Sequence, residues 1–245
     1  NMKFFILKFN AILKGLTILF RPHVLFGFLQ KPLLFLSNTL ALSKWAATQH
    51  SKIPFNDFFT LTRNYNKRLQ LFEYIASSKS LTDVNLCYIE LGVFEGHSFK
   101  WWANHLKNAD TRLFGFDTFE GLPEQWGMYY DKGEMHAVIP ELNDTRVAFF
   151  KGLFQETLPV FIEQHKSELS KQKIIHFDAD LFSSTLYSMA MLYPYLRKGD
   201  ILLFDEFNVP NHEFFAFKMI QDSFYLKTKL IGAVNNYYQV AFEII

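Results

Sequence analysis

One cysteine, Cys87, occurs in 245 residues. A single thiol forms neither an intrachain disulfide nor a cysteine-based zinc centre, so disulfide scaffolds and zinc-finger folds are excluded. Cys87 lies in the apolar run Leu86-Cys87-Tyr88-Ile89, where buried packing is the expected role. Glycine is scarce, at 11 residues, and no internal repeat or low-complexity tract is present. Charged residues at 20% and aromatics at 18% exclude an intrinsically disordered chain. Acid is missing from residues 1–56, which carry Lys3, Lys8, Lys14, Arg21, Lys31, Lys44 and Lys52. The first acid is Asp57, and the remaining chain holds 18 basic against 24 acidic residues. A basic front on an acidic body argues against a nucleic-acid partner and leaves open a local contact with anionic lipid.

The front is also apolar. Lys3, Asn10, Lys14, Thr17 and Arg21 fall on one helical stripe, with Lys8 on the opposite, apolar side. That pattern predicts an amphipathic helix with a narrow basic face. No run of about 20 residues is free of charge, so no membrane-spanning segment is expected. Lys8 interrupts the apolar core that a secretory signal needs, and no small-residue cleavage site follows, so a cytoplasmic protein is expected. Pro22 and Pro32 punctuate the chain before a second helical stretch over 33–49. Two readings stand for residues 2–49. They cap the core or a second subunit of a homo-oligomer, or residues 2–21 lie as a peripheral anchor on the inner face of the membrane.

The length suits one domain with an appendage, divided here into 1–54 and 55–245. A helix is expected over Asp57–Ser77. Strands are expected at Leu86–Leu91, Arg112–Phe116, Val147–Lys151, Lys173–Phe177 and Ile201–Phe204, with helices at Ser98–Lys107, Gln155–Ser170, Ser183–Arg197 and His212–Phe224. Strands at Lys227–Ile231 and Tyr237–Ile244 close the chain around Asn235-Asn236. This alternation predicts an α/β, Rossmann-like fold with a mostly parallel seven-stranded sheet, an antiparallel last pair and an N-terminal helical extension. Residues 119–146 form a connection too long to be structureless without a function.

Ligands of such sheets sit beyond the carboxyl ends of the strands. Those ends read Glu90 to Ser98, Asp117-Thr118, Gly152, His176 to Asp180, and Asp205-Glu206. Gly92 permits a tight turn, and Gly96 opens a helix whose free N–H groups favour an anion. The spacing lacks the full dinucleotide fingerprint, which counts against an oxidoreductase. Asp117 follows Gly92 by 25 residues, where a carboxylate accepts the hydroxyls of an adenosine ribose. Asp178, Asp180, Asp205 and Glu206 would repel one another unless a hard divalent cation joined them. The competing role for Asp180 is helix capping before Ser183-Ser184-Thr185. His176 is expected beside the cluster without ligating.

These motifs resemble a known family. Glu90–Ser98 is similar to the E-x-G-V-x-x-G-x-S turn of class I S-adenosylmethionine methyltransferases. Phe116–Pro123 resembles the D-S-F-E-G-L-P signature of the macrocin O-methyltransferase (TylF-like) group. Lys151–Pro159, His176–Thr185 and Leu192–Glu206 resemble its later blocks in the same order. Phe182, Asp200 and Glu206 depart from the group's Tyr, Gly and Asp. The resemblance implies an S-adenosylmethionine-dependent O-methyltransferase acting on a hydroxyl of a sugar or glycosylated metabolite, assisted by a divalent cation such as Mg²⁺. It implies Glu90, Gly92, Gly96 and Ser98 at the methionine moiety, Asp117 at the ribose, Gly152 and Phe154 near the adenine, and Thr118 as a further cofactor-binding residue. It further implies Asp178, Asp205 and Glu206 as metal ligands and Asp180 as base, with Trp126, Tyr129, Tyr130 and His136 over the acceptor. The rival reading is a degenerate, non-catalytic member of the fold that docks to a membrane-associated glycan assembly complex through residues 2–49.

Overall fold

A computed structural model describes residues 2–49, 53–126 and 130–245. The chain divides into two compact units, Asn1–Ala41 and Leu42–Ile245.

The first unit is helical. α1 spans Met2–Phe20, α2 His23–Phe26, and α3 begins at Gln30 and continues to Gln49 in the second unit. Every residue from Met2 to Ser37 is exposed, including Phe4, Phe5, Leu7, Ile18 and Phe20. α1 thus forms as expected but buries none of its residues. His23–Gln49 is one helical run long and apolar enough, by length and composition, to cross a membrane, which the expectation from charge spacing had excluded.

In the second unit α4 (Asn66–Ser78) precedes a seven-stranded sheet. Its strands are β1 (Leu86–Leu91), β2 (Arg112–Asp117), β3 (Val147–Lys151), β4 (Gln172–Phe177), β5 (Ile201–Phe204), β6 (Thr228–Val234) and β7 (Gln239–Ile244). The intervening helices are α5 (His97–His105), α6 (Phe154–Gln164), α7 (Phe182–Leu192) and α8 (Glu213–Phe224). The order is β3-β2-β1-β4-β5-β7-β6, and β7 runs antiparallel to both neighbours. All six residues of β1 are buried, as a strand covered on both faces requires.

Helix ends follow local chemistry. α7 stops at Leu192 because Pro194 follows, so the helix expected to Arg197 becomes a 3₁₀ turn over Tyr193–Tyr195. α6 likewise ends at Gln164, short of the expected Ser170. The helix expected from Asp57 begins only at Asn66. Residues 53–65 are an irregular strap, pinned by the hairpin between β6 and β7. The Asn236 side chain accepts from Thr60 N–H at 2.9 Å and donates to Thr60 C=O at 2.8 Å. Asn235 does the same for Asn64, at 2.9 and 3.0 Å. Asn235, Asn236 and Tyr237 are all left-handed, with φ of 54°, 59° and 65°. Within the second unit Trp45 joins the core aromatics, its ring centroid 4.9 Å from Phe207 and 5.6 Å from Tyr237.

Candidate active site at the carboxyl edge of the sheet

The strand ends are tied by one row of backbone hydrogen bonds. Gly152 N–H donates to Asp117 C=O at 3.0 Å and Gly92 N–H to Phe116 C=O at 2.8 Å. Asp178 N–H donates to Leu91 C=O at 2.9 Å and Asp205 N–H to Phe177 C=O at 3.0 Å. Residues 92, 117, 152, 178 and 205, picked from sequence as strand ends, therefore share one edge.

On the β1–β3 side, Gly92 has φ +92°, and a Cβ there would lie 1.8 Å from the Asp178 carbonyl oxygen. Only glycine fits this crossing of the first turn over the end of β4. Asp117 holds the turn: one oxygen accepts from Val93 and Phe94 N–H, both at 2.8 Å, and the other from Phe119 N–H at 2.7 Å. Its carboxylate is thus a structural clasp on the turns after β1 and β2. Glu90 is fully buried and accepts from Ser98 Oγ at 2.7 Å and from Tyr88 OH. Gly96, with φ +75°, caps α5. Thr118 Oγ donates to Gly121 C=O at 2.7 Å, so its hydroxyl shapes the next turn. Gly152 and the half-buried Phe154 lead into α6.

On the other side, adjacent β4 and β5 bring Asp178, Asp180, Asp205 and Glu206 together. Burial pushes the Asp178 carboxyl well above its ordinary range, and Asp205 adds to this. Burial does the same to Asp180, reinforced by Glu206 and Asp205. Asp180 is left-handed, at φ +56°, an unusual backbone state for a non-glycine residue. Glu206 is pushed up to about 7, by burial against a hydrogen bond from Tyr238 OH. Behind it, the buried Glu213 carboxylate accepts from Glu206 N–H at 2.9 Å.

The cluster is not without cations. Arg68 of α4 places Nη1 3.3 Å from Asp178 Oδ2 and 3.0 Å from Asp205 Oδ2. Burial works to lower its pKa, but Asp205 and Asp178 overcome this and raise it. Arg63 of the strap stacks 3.4 Å from the Tyr238 ring centroid. Arg63, Arg68, Tyr238 and Glu213 were not singled out from sequence. One signal was available for Arg68. It stands four and seven residues before the buried Phe72 and Ile75, so a guanidinium occupies the inward stripe of an amphipathic helix.

A divalent cation fits these residues. Asp205 Oδ1 and Glu206 Oε2 are buried without a hydrogen-bond partner, and both are hard oxygen donors. Among the described residues, the trio whose ligand atoms lie within 4.8 Å of one another is His176, Asp178 and Asp205. Glu206 stands outside that trio. His176 Nδ1 lies 3.3 Å from Tyr88 OH and 3.5 Å from Glu90, so its ring also links the two sides of the site.

The 119–146 connection arches from β2. Trp126 and Tyr130 stack with centroids 4.8 Å apart, and Glu124 accepts from Ser183 Oγ at 2.5 Å. His136 is exposed, while Tyr129 lies outside the described residues.

The strand order, the glycine turn after β1 and the acid after β2 define the class I methyltransferase fold. Solved structures show the same architecture. The calicheamicin methyltransferase CalS11 is 19% identical with a TM-score of 0.58, covering 84% of this chain and 91% of its own. The O-methyltransferase from Bacillus cereus, solved with SAH, is 15% identical with a TM-score of 0.51, covering 85% of this chain and 90% of its own. Within that class, the chain belongs to the macrocin-O-methyltransferase (TylF) family, whose model matches residues 54–232. A curated relative from Streptomyces olivaceus, an 8-demethyl-8-(2,3-dimethoxy-alpha-L-rhamnosyl)-tetracenomycin-C 4'-O-methyltransferase, is 24% identical over 165 residues. That match covers 58% of this chain and 61% of the relative, so the chain spans about three fifths of its length.

Proposed function

We propose that this protein is an S-adenosylmethionine-dependent O-methyltransferase acting on a hydroxyl of a sugar, as part of a glycan or a glycosylated metabolite, with a divalent cation held by Asp178, Asp205 and Glu206. The observation that carries the reading is the division of the sheet edge. A glycine turn clasped by Asp117 lies on one side and a buried carboxylate cluster with two unpartnered oxygens on the other. The retained cluster also favours an enzyme over a degenerate docking protein. Family membership and the sugar named for the Streptomyces relative support the acceptor class.

In the reaction a C–O bond to the acceptor forms as the S–CH₃ bond of the cofactor breaks, and the hydroxyl proton leaves to a carboxylate. Asp180 suits that task, because burial and its acidic neighbours raise its proton affinity. Bound beside the hydroxyl, Mg²⁺ would supply Lewis acidity that lowers the hydroxyl pKa. Asp117 and Gly92 fix the turn that the methionine end of the cofactor follows, and Glu90 fixes Ser98 beside it. Trp126 and Tyr130 offer stacked aromatic faces for a sugar ring. Orientation of the reacting atoms can contribute about 7–11 kcal/mol in well-aligned systems.

The exposed residues 2–37 carry Lys3, Lys8, Lys14, Arg21 and Lys31 and no acid. Large apolar side chains interleaved with cations match an anionic lipid surface, so a cytoplasmic enzyme held peripherally at the membrane is the localisation proposed. Calorimetric titration with S-adenosylmethionine, followed by methyl transfer to a panel of rhamnose-type and other glycoside acceptors, tests the function. Absence of cofactor binding would overturn it.

A further inference from the structure

The Arg68 guanidinium occupies an unusual place. A single nitrogen, Nη1, bridges one oxygen of Asp178 and one of Asp205, at 3.3 and 3.0 Å. A divalent cation held by Asp178 and Asp205 would draw on the carboxylates that Arg68 engages. Arg68 contacts two of the four carboxylates and Arg63 acts on Glu206, yet two buried oxygens, Asp205 Oδ1 and Glu206 Oε2, still lack partners. The guanidinium therefore relieves the cluster in part and leaves it able to attract a second charge. Arg68 keeps 20% of its side chain exposed and stands in the first turn of α4, directly after the strap.

We propose that Arg68 is a tethered stand-in for the divalent cation: it holds Asp178 and Asp205 together when the cation is absent and must release them for the cation to enter. This rests on the divalent-cation reading above. Two forces set the direction of its effect. A guanidinium beside a doubly charged ion repels it, and the bonds Arg68 makes to both acids must break before those oxygens can ligate. Both oppose the cation, so the tether weakens metal affinity and makes loading an exchange of one cation for another.

The test is Mn²⁺ binding to the full-length protein, followed by electron paramagnetic resonance and calorimetry, in wild type, Arg68→Met, Arg68→Gln and Arg68→Lys. Arg68→Met and Arg68→Gln are expected to bind Mn²⁺ at least tenfold more tightly than wild type. Arg68→Lys, which retains the charge, is expected to stay close to wild type. Without metal, Arg68→Met should melt at a lower temperature than wild type, and Mn²⁺ should raise its melting point more than it raises that of wild type. S-adenosylmethionine affinity, read in parallel, reports an intact fold; Arg68→Gln, which keeps a hydrogen-bond donor, serves if Arg68→Met does not fold. Mn²⁺ binding by the variants but not by wild type would also support the exchange. Binding by wild type that is unchanged or weakened in the variants would overturn the stand-in role and leave the cation reading intact. No binding by any of the four proteins would overturn the cation reading, and the stand-in with it.

Discussion

Replacing Gly92 by alanine should damage the site more than any other single methyl addition in the sheet, and the effect can be separated into two parts. The first is backbone conformation. An L-residue at positive φ costs about 1–2 kcal/mol, which in a chain of this size lowers the melting temperature by about 2–8 °C. Gly199, at the opposite end of the sheet with φ +91° and nothing within 4 Å of where a Cβ would stand, isolates that cost. The second part is collision. At Gly92 the new carbon would lie 1.8 Å from the Asp178 carbonyl oxygen and 2.7 Å from its carbon, against the 3.0 Å below which real contacts essentially never occur. The turn after β1 and the end of β4 must move apart, which breaks the 2.9 Å bond from Asp178 N–H to Leu91 C=O. That bond sets the spacing between the clasped turn and the acid cluster. Gly92→Ala should therefore lose more than twice the stability lost by Gly199→Ala, and weaken S-adenosylmethionine and Mn²⁺ binding by at least tenfold each. The measurements are thermal denaturation and calorimetric titration of both variants side by side. Equal melting temperatures for the two, with wild-type cofactor affinity for Gly92→Ala, would refute the argument.

Three further outcomes are expected. Asp180→Asn should keep cofactor and metal affinity but lose roughly 10²–10⁴ in turnover, the range for a general base; full turnover in this variant would move the proton to another group. Glu206, pushed up to about 7 from an ordinary 4.5, binds its proton more tightly in the folded state. Without metal its contribution is neutral below pH 4.5 and destabilising by roughly 3 kcal/mol once pH passes 7. Urea unfolding of wild type and Glu206→Gln in chelator should show the gap opening between those two pH values, and a gap that narrows as pH rises would contradict it. Deleting residues 2–21 should release the protein from anionic vesicles while leaving the melting temperature of the remaining domain unchanged. A change of oligomeric state instead would assign the segment to a second copy.

The strand-end residues were legible in the sequence because topology fixes them. Once apolar runs alternate with helices, Asp117, Gly152, Asp178 and Asp205 must fall on one edge, whatever the side-chain packing. Cys87 behaves as read, fully buried, whereas His176, expected beside the cluster without ligating, engages Tyr88 and also joins Asp178 and Asp205 in the candidate ligand trio. What the sequence concealed was set by contacts across long separations. The strap was read as helix because Phe58, Leu61 and Leu69 fall at helical spacing. Yet Leu61 is 89% exposed, and two asparagine side chains some 170 residues later claim the strap's backbone groups. Arg68 reaches its acids across 110 and 137 positions, and no local pattern announces such a pair. The cluster expected to be relieved by a divalent cation thus also meets a guanidinium, supplied by a helix outside the strand–helix alternation. The placement of β7 between β5 and β6 was likewise invisible, because a hairpin specifies antiparallel pairing without saying which strand faces inward.

The paired asparagine amides that grip the strap have a consequence for how this protein can change. They hold Thr60 and Asn64 by main-chain atoms alone, a hold that is indifferent to which side chains the strap carries. Arg63, which lies between the two anchor points and stacks on Tyr238, can therefore be exchanged for other residues without shifting the segment that presents it. A mounting of this kind separates the position of a contact from its chemistry. It leaves the residue over Tyr238, close to Glu206, free to vary while the carboxylates stay fixed.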